Sequence, residues 1–194
     1  MDTFDIYLAS QSPRRRELLT QIGVRFQVLP VDVHEAPDAG ESAQDYVRRV
    51  ALDKARAGAA SPQRRLDRPV LGSDTEVVVD GEVQGKPRDA EHGLAMLARL
   101  SGRSHQVLSA VALVRDGREE VVLSASTVYF RPLSDTEIRA YWATGEPADK
   151  AGGYAIQGRA AVFVERLEGS FSGVLGLPLY ETAMLLKQFG VDVV

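Results

Sequence analysis

The sequence predicts an α/β protein that contains at least one long antiparallel hairpin. Strand-like apolar runs alternate with helix-start signals over most of the chain, which is the pattern of mixed α/β folds. Two alternating runs flank Asp116-Gly117, a dipeptide typical of tight hairpin turns. The chain shows no internal repeat, heptad run or low-complexity tract. Its 194 residues are enough for one domain or two tightly joined lobes.

The helices are predicted from residues that cap helix ends. Ser, Asp and Pro favour the first positions of a helix, and an acidic residue three positions after a Ser resembles a capping box. These start signals are, in order, Ser12-Pro13, Ser42 with Asp45, Asp89, Ser134 with Glu137, and Pro178. Gly23, Gly102 and Gly145 act as stop signals. The predicted helices cover residues 13–22, 42–60, 89–100, 134–144 and 178–189.

The strands are predicted from apolar or alternating runs bounded by turn residues. They cover residues 4–9, 25–31, 70–72, 76–79, 105–114, 119–130 and 161–166. Ser73-Asp74-Thr75 is expected to interrupt the buried strand pattern around it. Asp80-Gly81 predicts a tight turn, and residues 61–69 predict an exposed connection.

Composition excludes several functional classes. The net charge of −4 argues against a general nucleic-acid binder, so any anion site must be a local concentration of positive charge. Without cysteine there is no disulfide, thiolate metal site or cysteine nucleophile. No apolar run is long enough to span a bilayer and no signal peptide is evident, so we expect a cytoplasmic protein without a membrane partner. Only four lysines are present, at positions 54, 86, 150 and 187, which makes each one informative.

The turn Ser10-Gln11-Ser12-Pro13-Arg14-Arg15-Arg16 is a candidate phosphate site. A helix N-terminus presents free N–H groups and a positive dipole end, which suit an anion. Three arginines in that first turn oppose the dipole unless an anion compensates them. A solvated Arg-rich helix start in an Arg-biased sequence explains the same residues equally well.

Asp74 lies among apolar strand residues, where a carboxylate is costly to bury without a cation or a function. An edge or bulge position exposed to water is the alternative. Glu35 follows the second predicted strand and has the oxygen donors that a hard cation binds, although a solvated loop explains it too. Lys54 lies in an Ala-rich helix and Lys86 in a Gly-Lys-Pro turn, and each is compatible with a surface position.

Two Gly-rich segments remain. Paired glycines at 152 and 153 allow close backbone approach to a ligand, and Tyr154 and Gln157 are residue types that stack on or hydrogen-bond a base. A mobile connection is the alternative. Residues 169–178 are either a second ligand-facing loop or a hinge. No zinc motif, serine-hydrolase elbow or dinucleotide fingerprint is present.

In their order along the chain, these segments resemble the Maf family of nucleoside triphosphate pyrophosphatases, often labelled septum-formation-inhibitor-like proteins. The resembling residues are Leu8-Ala9-Ser10-x-Ser12-Pro13-Arg14-Arg15, Glu35, Lys54, Gly72-Ser73-Asp74-Thr75, Gly85-Lys86-Pro87, and residues 150–158 and 169–178. The set spans nearly the whole chain and is specific even though each member is not. Ser73, where the family often has Ala, and Gly153 are small departures that remove no functional group.

The resemblance implies a fold, a reaction and roles for the site residues. The fold would be a central mixed, partly antiparallel twisted sheet flanked by helices, with a cleft between two lobes of a single domain over residues 1–194, as in Maf and ITPase-like proteins. The reaction would be hydrolysis of a nucleoside triphosphate to the monophosphate and pyrophosphate, with a divalent cation, Mg²⁺ or Mn²⁺. Asp74 would be catalytic as the proton acceptor, together with Lys54 and Lys86. The implied substrate-binding residues are Ser10, Arg14, Arg15, Thr75 and Gln157. The implied metal ligands are Glu35 and Asp74.

Within the family, Ala155-Ile156-Gln157-Gly158 resembles the branch that acts on dTTP and UTP, in which Arg14, Thr75 and Gln157 set substrate choice. The resemblance also implies a homodimer. The alternatives are the same reaction on a modified nucleotide such as 7-methyl-GTP, and a non-catalytic nucleotide sensor that regulates cell division.

Overall fold

The computed structural model, which describes residues 4–65 and 67–193, confirms the predicted mixed sheet flanked by helices. The strands of the described residues are β1 Ile6–Leu8, β2 Phe26–Val28, β3 Val70–Val79, β4 Glu82–Val83, β5 Ser104–Arg115, β6 Arg118–Phe130 and β7 Val164–Glu168. The helices are α1 Pro13–Gln21, α2 Ala43–Ala59, α3 Ala90–Leu100, α4 Asp135–Trp142, α5 Phe171–Leu175 and α6 Leu179–Gln188. Short 3-10 turns cover Ala151–Gly153 and Arg159–Phe163. Leu66 of the predicted connection and the outermost residues of the predicted domain lie outside the described part.

The sheet runs in the order β2-β1-β3-β5-β6-β7, with β4 paired to the end of β3. The β1 strand is parallel to both β2 and β3, and the remaining pairs are antiparallel. The predicted hairpin is formed by β5 and β6, and Asp116 and Gly117 at its tip both have positive φ, as a tight primed turn requires.

A gap in the sheet positions the cleft. β1 pairs with β3 only at Val70 and Leu71, and β4 pairs only with Val78 and Val79. Between these pairs, residues 72–77 of β3 have β5 on one side and, among the described residues, no strand on the other. Ligands of α/β sheets bind beyond the carboxyl ends of parallel strands, and the gap begins where β1 ends.

The core divides into clusters around this gap. Helix α2 packs on one face of the sheet, and α1 and α6 pack on the other. A separate cluster at the far end of the long strands contains α3, α4 and residues 151–164. The cleft therefore opens between this far cluster and the clusters formed by α1, α2 and α6, in agreement with the expected two-lobed form. No helix among the described residues has the length and apolarity needed to cross a membrane.

The predicted helix starts are confirmed by cap geometry. The side chains of Ser12, Ser42, Asp89 and Ser134 each accept a backbone N–H three residues later. Ser134 and Glu137 form a complete capping box. These local signals place helix ends to within one or two residues.

Two predictions of local structure are wrong, and one helix was missed. Ser73-Asp74-Thr75 does not interrupt the strand, because partners on other elements satisfy these polar side chains inside a continuous β3. The strand predicted over 161–166 begins only at Val164, since residues 159–163 form a 3-10 turn that buries Phe163 against Phe130 and Tyr141. Helix α5, which is capped by Ser170, was not predicted.

Candidate active site

All nine residues that the sequence predicts for the site line one cleft of about 830 Å³. They are Ser10, Arg14, Arg15, Glu35, Lys54, Asp74, Thr75, Lys86 and Gln157. These residues come from six separate parts of the chain, so folding alone brings them together. A cleft of this size suits a small organic ligand.

The Ser10–Arg16 turn holds one arginine firmly in the cleft wall. Arg15 donates from Nε to the carbonyl oxygen of Gly176 at 2.9 Å and from Nη1 to Ser10 Oγ at 3.1 Å. Burial lowers the pKa of Arg15, and the negative charges of Asp74 and Glu35 oppose that effect. Arg14, which is half-buried, also faces the cleft, whereas Arg16 is exposed and donates to Gln11 O. Two of the three arginines are therefore placed for an anion.

Lys54 and Asp74 form a buried ion pair at the centre of the cleft. Lys54 Nζ lies 2.8 Å from Asp74 Oδ1 and 3.1 Å from Glu35 Oε1. The side chains of Lys54 and Asp74 are 10% and 5% exposed, so both are largely removed from water. The alternative that Asp74 is exposed to water is therefore wrong, although residues 72–77 do lack a neighbouring strand on one side among the described residues.

Glycine at position 72 makes this pair possible. A Cβ there would lie 2.2 Å from Ala51 O and 2.5 Å from Ala55 N of α2. The helix backbone consequently packs directly against β3, with the small side chains of Ala51 and Ala55 at the contact. Lys54 lies between these two alanines in the sequence, and the close approach brings its ammonium to Asp74.

Glu76 is a buried carboxylate of the site that sequence reasoning missed. It lies two residues after Asp74, and alternate residues of a strand share a face of the sheet. Burial raises the pKa of Glu76 to about 8, and the nearby charge of Asp74 adds to the shift. The Asp-x-Glu spacing within an apolar strand was the available signal, because it places both carboxylates on the same side.

Lys86 extends into the cleft from the turn after β4. It is exposed, and no hydrogen bond or ion pair of its ammonium occurs among the described residues. The neighbouring Gly85 accepts a hydrogen bond from Gly152 N at 2.9 Å, and Gly152 lies so close to Val77 that a Cβ would be 2.6 Å from its side chain. The turn is thus attached to the sheet while the ammonium stays available to a ligand.

The 150–158 segment serves the site differently from expectation. Tyr154 is buried against Phe130, and its hydroxyl lies 2.7 Å from His105 Nε2. The hydroxyl of Tyr154 is therefore engaged in the core and not offered to a base, while its ring still lines the cleft and the stacking role stays a prediction. Gln157 is exposed and lines the cleft, as expected. Glu146, also at the cleft, accepts the N–H of Arg159 at 3.0 Å and the hydroxyl of Tyr141 at 2.7 Å, which fixes the segment in place.

Thr75 and residues 174–176 line the cleft next to one another. Thr75 Oγ1 lies 2.9 Å from Ser109 Oγ and 3.4 Å from Gly176 O, and Ser73 Oγ donates to the same carbonyl at 3.2 Å. Val174, Leu175 and Gly176 line the cleft here. The 169–178 segment therefore lines the cleft through the end of α5 and Gly176, and the predicted role of facing a ligand stays a prediction.

The carboxylates of the cleft have the chemistry of a divalent-cation site. Among the described residues, no group of three or more His, Cys, Asp or Glu side chains is already arranged to hold a metal ion. However, Mg²⁺ sites commonly use one or two carboxylates together with substrate phosphates and water. Asp74 Oδ2 and Glu76 Oε2 are both buried without a hydrogen-bond partner, so each retains an oxygen that a hard cation would satisfy. The residues present therefore fit such a cation.

Comparison with known proteins gives consistent relatives. The family described as Maf-like protein matches residues 5–189. A dTTP/UTP pyrophosphatase of Alkalilimnicola ehrlichii is 60% identical over 96% of this chain and 94% of its own length. A protein of the same name from Methylococcus capsulatus is 59% identical over 96% of this chain and 91% of its own length. Another from Saccharophagus degradans is 57% identical over 97% of this chain and 90% of its own length. Among solved structures, the Staphylococcus aureus Ham1 protein aligns with 65% of this chain and 71% of that chain, at 15% identity and a TM-score of 0.43.

Proposed function

The chain belongs to the Maf-like protein family, and from that premise we propose that it hydrolyses dTTP and UTP to the monophosphate and pyrophosphate. One observation carries the proposal: the buried Lys54–Asp74 pair lies in the same cleft as Arg14, Arg15 and Lys86. A carboxylate that can accept a proton is thus surrounded by cations that can bind phosphates.

Asp74 is the proton acceptor in this proposal. Lys54 donates to Oδ1, and Oδ2 has no partner, so the carboxylate, which has about four lone-pair sites, can accept a water proton and also contact the cation. The water oxygen forms a bond to the α-phosphorus while its proton passes to Asp74. The bond from the α-phosphorus to the bridging oxygen breaks, and pyrophosphate leaves with the electron pair.

The cationic side chains stabilise the charge that develops on the leaving pyrophosphate. Arg15 is held by Gly176 O and Ser10 Oγ and keeps a fixed direction, while Arg14 and Lys86 have no such restraint among the described contacts. Preorganised charge needs little rearrangement during the reaction, so Arg15 supplies the rigid contact and Lys86 an adaptable one.

We propose that Asp74 and Glu76 hold the divalent cation, Mg²⁺ or Mn²⁺, and that Glu35 joins them when substrate phosphates complete the site. Two unpartnered carboxylate oxygens support this assignment, together with the partly exposed Glu35 beside Lys54. When bound, the cation neutralises part of the negative charge of the triphosphate. The binding, positioning and proton transfer described above belong to the protein side chains.

The proposal is tested with a panel of dTTP, UTP, CTP and 7-methyl-GTP in the presence of Mg²⁺ or Mn²⁺. We expect the fastest release from dTTP and UTP, with pyrophosphate as the product. In ¹⁸O-labelled water the label should enter the monophosphate, because attack occurs at the α-phosphorus. Orthophosphate as the only product, or label in the pyrophosphate, would contradict the reaction; preference for 7-methyl-GTP would contradict the substrate. Absence of release from every nucleotide would favour a sensor.

We further propose that the chain acts as one domain and forms a homodimer, as the resemblance drawn from the sequence implies. Light scattering after size-exclusion chromatography tests the dimer, since a mass near 21.1 kDa would indicate a monomer.

A further inference from the structure

The hydroxyl of Thr75 has a defined hydrogen-bond polarity. Its nearest polar neighbour is Ser109 Oγ at 2.9 Å, and its other neighbour is Gly176 O at 3.4 Å. Ser109 lies on β5, is 1% exposed, and does not line the cleft. The contact therefore joins a cleft residue to a buried one behind it.

The number of hydroxyl protons determines whether Thr75 or Ser109 is the donor in their contact. Ser109 has one hydroxyl proton, and its Oγ donates to Gly173 O at 2.6 Å. A carbonyl oxygen can only accept, so that proton is committed to the loop. Ser109 consequently offers only an acceptor to Thr75, and Gly176 O offers only an acceptor as well. The proton of Thr75 is directed at the protein, and Thr75 presents a lone pair to the cleft.

Ser109 is the partner that fixes this polarity. Gly176 O already accepts from Arg15 Nε at 2.9 Å and Ser73 Oγ at 3.2 Å, and Thr75 is the most distant of its three donors. The shorter Thr75–Ser109 contact is therefore the stronger restraint on the Thr75 proton.

We propose that Ser109 is a positioning residue that makes Thr75 a hydrogen-bond acceptor, so that Thr75 binds a donor group of the nucleoside and not a phosphate. Ionised phosphate oxygens accept hydrogen bonds and cannot donate to this lone pair. The donors of dTTP are the ring N3–H and the sugar 3′-hydroxyl. The inference rests on the proposed nucleoside triphosphate substrate. It assigns part of the selection of the nucleoside to Ser109, which lies behind the cleft.

The surroundings of Thr75 support a nucleoside contact. Alternate residues of a strand face opposite sides, so Thr75 points away from Asp74 and Glu76, which lie with Lys54. Beside Thr75, Val174 and Leu175 give the cleft an apolar wall that suits a ring or sugar better than a phosphate.

The test compares kcat/KM for dTTP, N3-methyl-dTTP and 3′-deoxy-dTTP in the wild type, Thr75→Val and Ser109→Ala. In the wild type we expect the analogue without the bound donor to be slower by about fivefold to tenfold, the effect of one hydrogen bond. In Thr75→Val that ratio should fall towards one, because the acceptor is gone, and in Ser109→Ala it should fall part of the way, because only the longer contact to Gly176 O still directs the Thr75 proton. The analogue whose ratio falls identifies the donor as ring N3–H or sugar hydroxyl. Any steric effect of the added methyl group persists in all three proteins and cancels from the comparison.

Two further variants separate positioning from general structure. Ser109→Thr keeps the hydroxyl and should restore the wild-type ratio. Ser124 on β6 is the residue paired with Ser109, and its buried hydroxyl donates to Glu181. Ser124→Ala therefore removes a neighbouring hydroxyl that does not contact Thr75 and should leave the ratio unchanged. If Ser109→Ala does not fold, Ser109→Cys, which keeps the size of the side chain and has only a weak acceptor, should lower the ratio and so decides the question. If the wild type turns over dTTP but the ratios in Thr75→Val and Ser109→Ala equal the wild-type ratio, the inference is overturned and the proposed function stands. If the wild type does not turn over dTTP, the proposed function is overturned as well.

Discussion

Lys54 Nζ lies 2.8 Å from Asp74 Oδ1 and joins a residue of α2 to the middle of β3 inside the protein. The same ammonium lies 3.1 Å from Glu35 Oε1, so one cation holds two of the carboxylates that face the cleft. This pair makes Asp74 compatible with a buried strand and leaves its second oxygen for chemistry.

Replacing Lys54 by Met should reduce both stability and activity. Removing one partner of a buried ion pair leaves an uncompensated charge, so we expect a loss of about 3 kcal/mol in the free energy of unfolding. Loss of the charge from the phosphate site should lower kcat by about 100-fold or more. Urea unfolding and pyrophosphate release measure the two effects. In Lys54→Met/Asp74→Asn the stability should recover in part, and the control Lys187→Met, at the end of α6, should change neither quantity. Equal stability of Lys54→Met and the wild type would contradict the buried pair.

Replacing Gly72 by Ala should force α2 away from β3. The added methyl would lie 2.2 Å from Ala51 O, and backbone atoms cannot yield as a flexible side chain can. We expect a loss of about 3 kcal/mol or more, at the upper end of overpacking effects, and a fall in activity as Lys54 leaves Asp74. Gly117→Ala is the control, since its methyl meets nothing within 4 Å and only strains a positive φ. A smaller stability loss for Gly72→Ala than for Gly117→Ala would show that the close contact is absent.

Replacing Glu76 by Gln should weaken binding of the divalent cation. The variant keeps the size of the side chain and removes a carboxylate oxygen that has no protein partner. We expect Mn²⁺ affinity, followed by electron paramagnetic resonance without nucleotide, to fall by about tenfold or more. Glu82→Gln is the control, because Glu82 is exposed on β4 and pairs with Arg99. Chelation of divalent cations should abolish turnover in the wild type. Unaltered Mn²⁺ affinity in Glu76→Gln would exclude Glu76 as a ligand.

His105 should lower the free energy of unfolding at mildly acidic pH, at pH values higher than those at which most carboxylates titrate. Burial lowers the pKa of His105 to about 4 from its ordinary 6.5. As the pH falls through 6.5, the unfolded chain binds a proton that the folded protein excludes, so the free energy of unfolding falls between pH 6.5 and 4. The loss between pH 7 and pH 4.5 is about 2 to 3 kcal/mol by linkage.

The His105 effect is read from the difference between the wild type and His105→Gln at each pH. Glu76 acts with the opposite sign between pH 4.5 and 8, because its raised pKa lets the folded state hold a proton that the unfolded chain releases. Taking the difference removes that contribution. His34→Gln, at an exposed position, serves as the control. Parallel pH curves for the wild type and His105→Gln would show that His105 is not buried in the neutral form.

The parts of the fold that were predicted from sequence depend on local signals. Ser12 and Ser134 cap helices through bonds to residues three positions away, and Asp116-Gly117 turns the hairpin with its own backbone. Such signals lie within a few residues of one another and are visible in the chain itself. Local patterns marked most of the nine site residues only as candidates, and the family resemblance supplied their roles in one site.

The parts that were not predicted depend on distant partners. Ser73 stays in the strand because it bonds to Gly176, 103 residues away, and Thr75 bonds to Ser109 on β5. Tyr154 is turned into the core by His105, 49 residues earlier. Ser109 acquires its importance only from the strand and loop beside it, which no short segment of sequence specifies, whereas Glu76 was signalled locally by its spacing from Asp74.

The most direct test of the account is the rate of pyrophosphate release from dTTP by Asp74→Asn. The amide cannot accept the proton of the attacking water, so we expect kcat to fall by about 100-fold to 10,000-fold, the range of general-base catalysis. Asp80→Asn, at the end of the same strand and paired with Arg103 on the surface, should retain the wild-type rate. Circular dichroism and urea unfolding establish that both variants are folded. A folded Asp74→Asn protein that releases pyrophosphate at the wild-type rate would contradict the assignment of Asp74 as the proton acceptor.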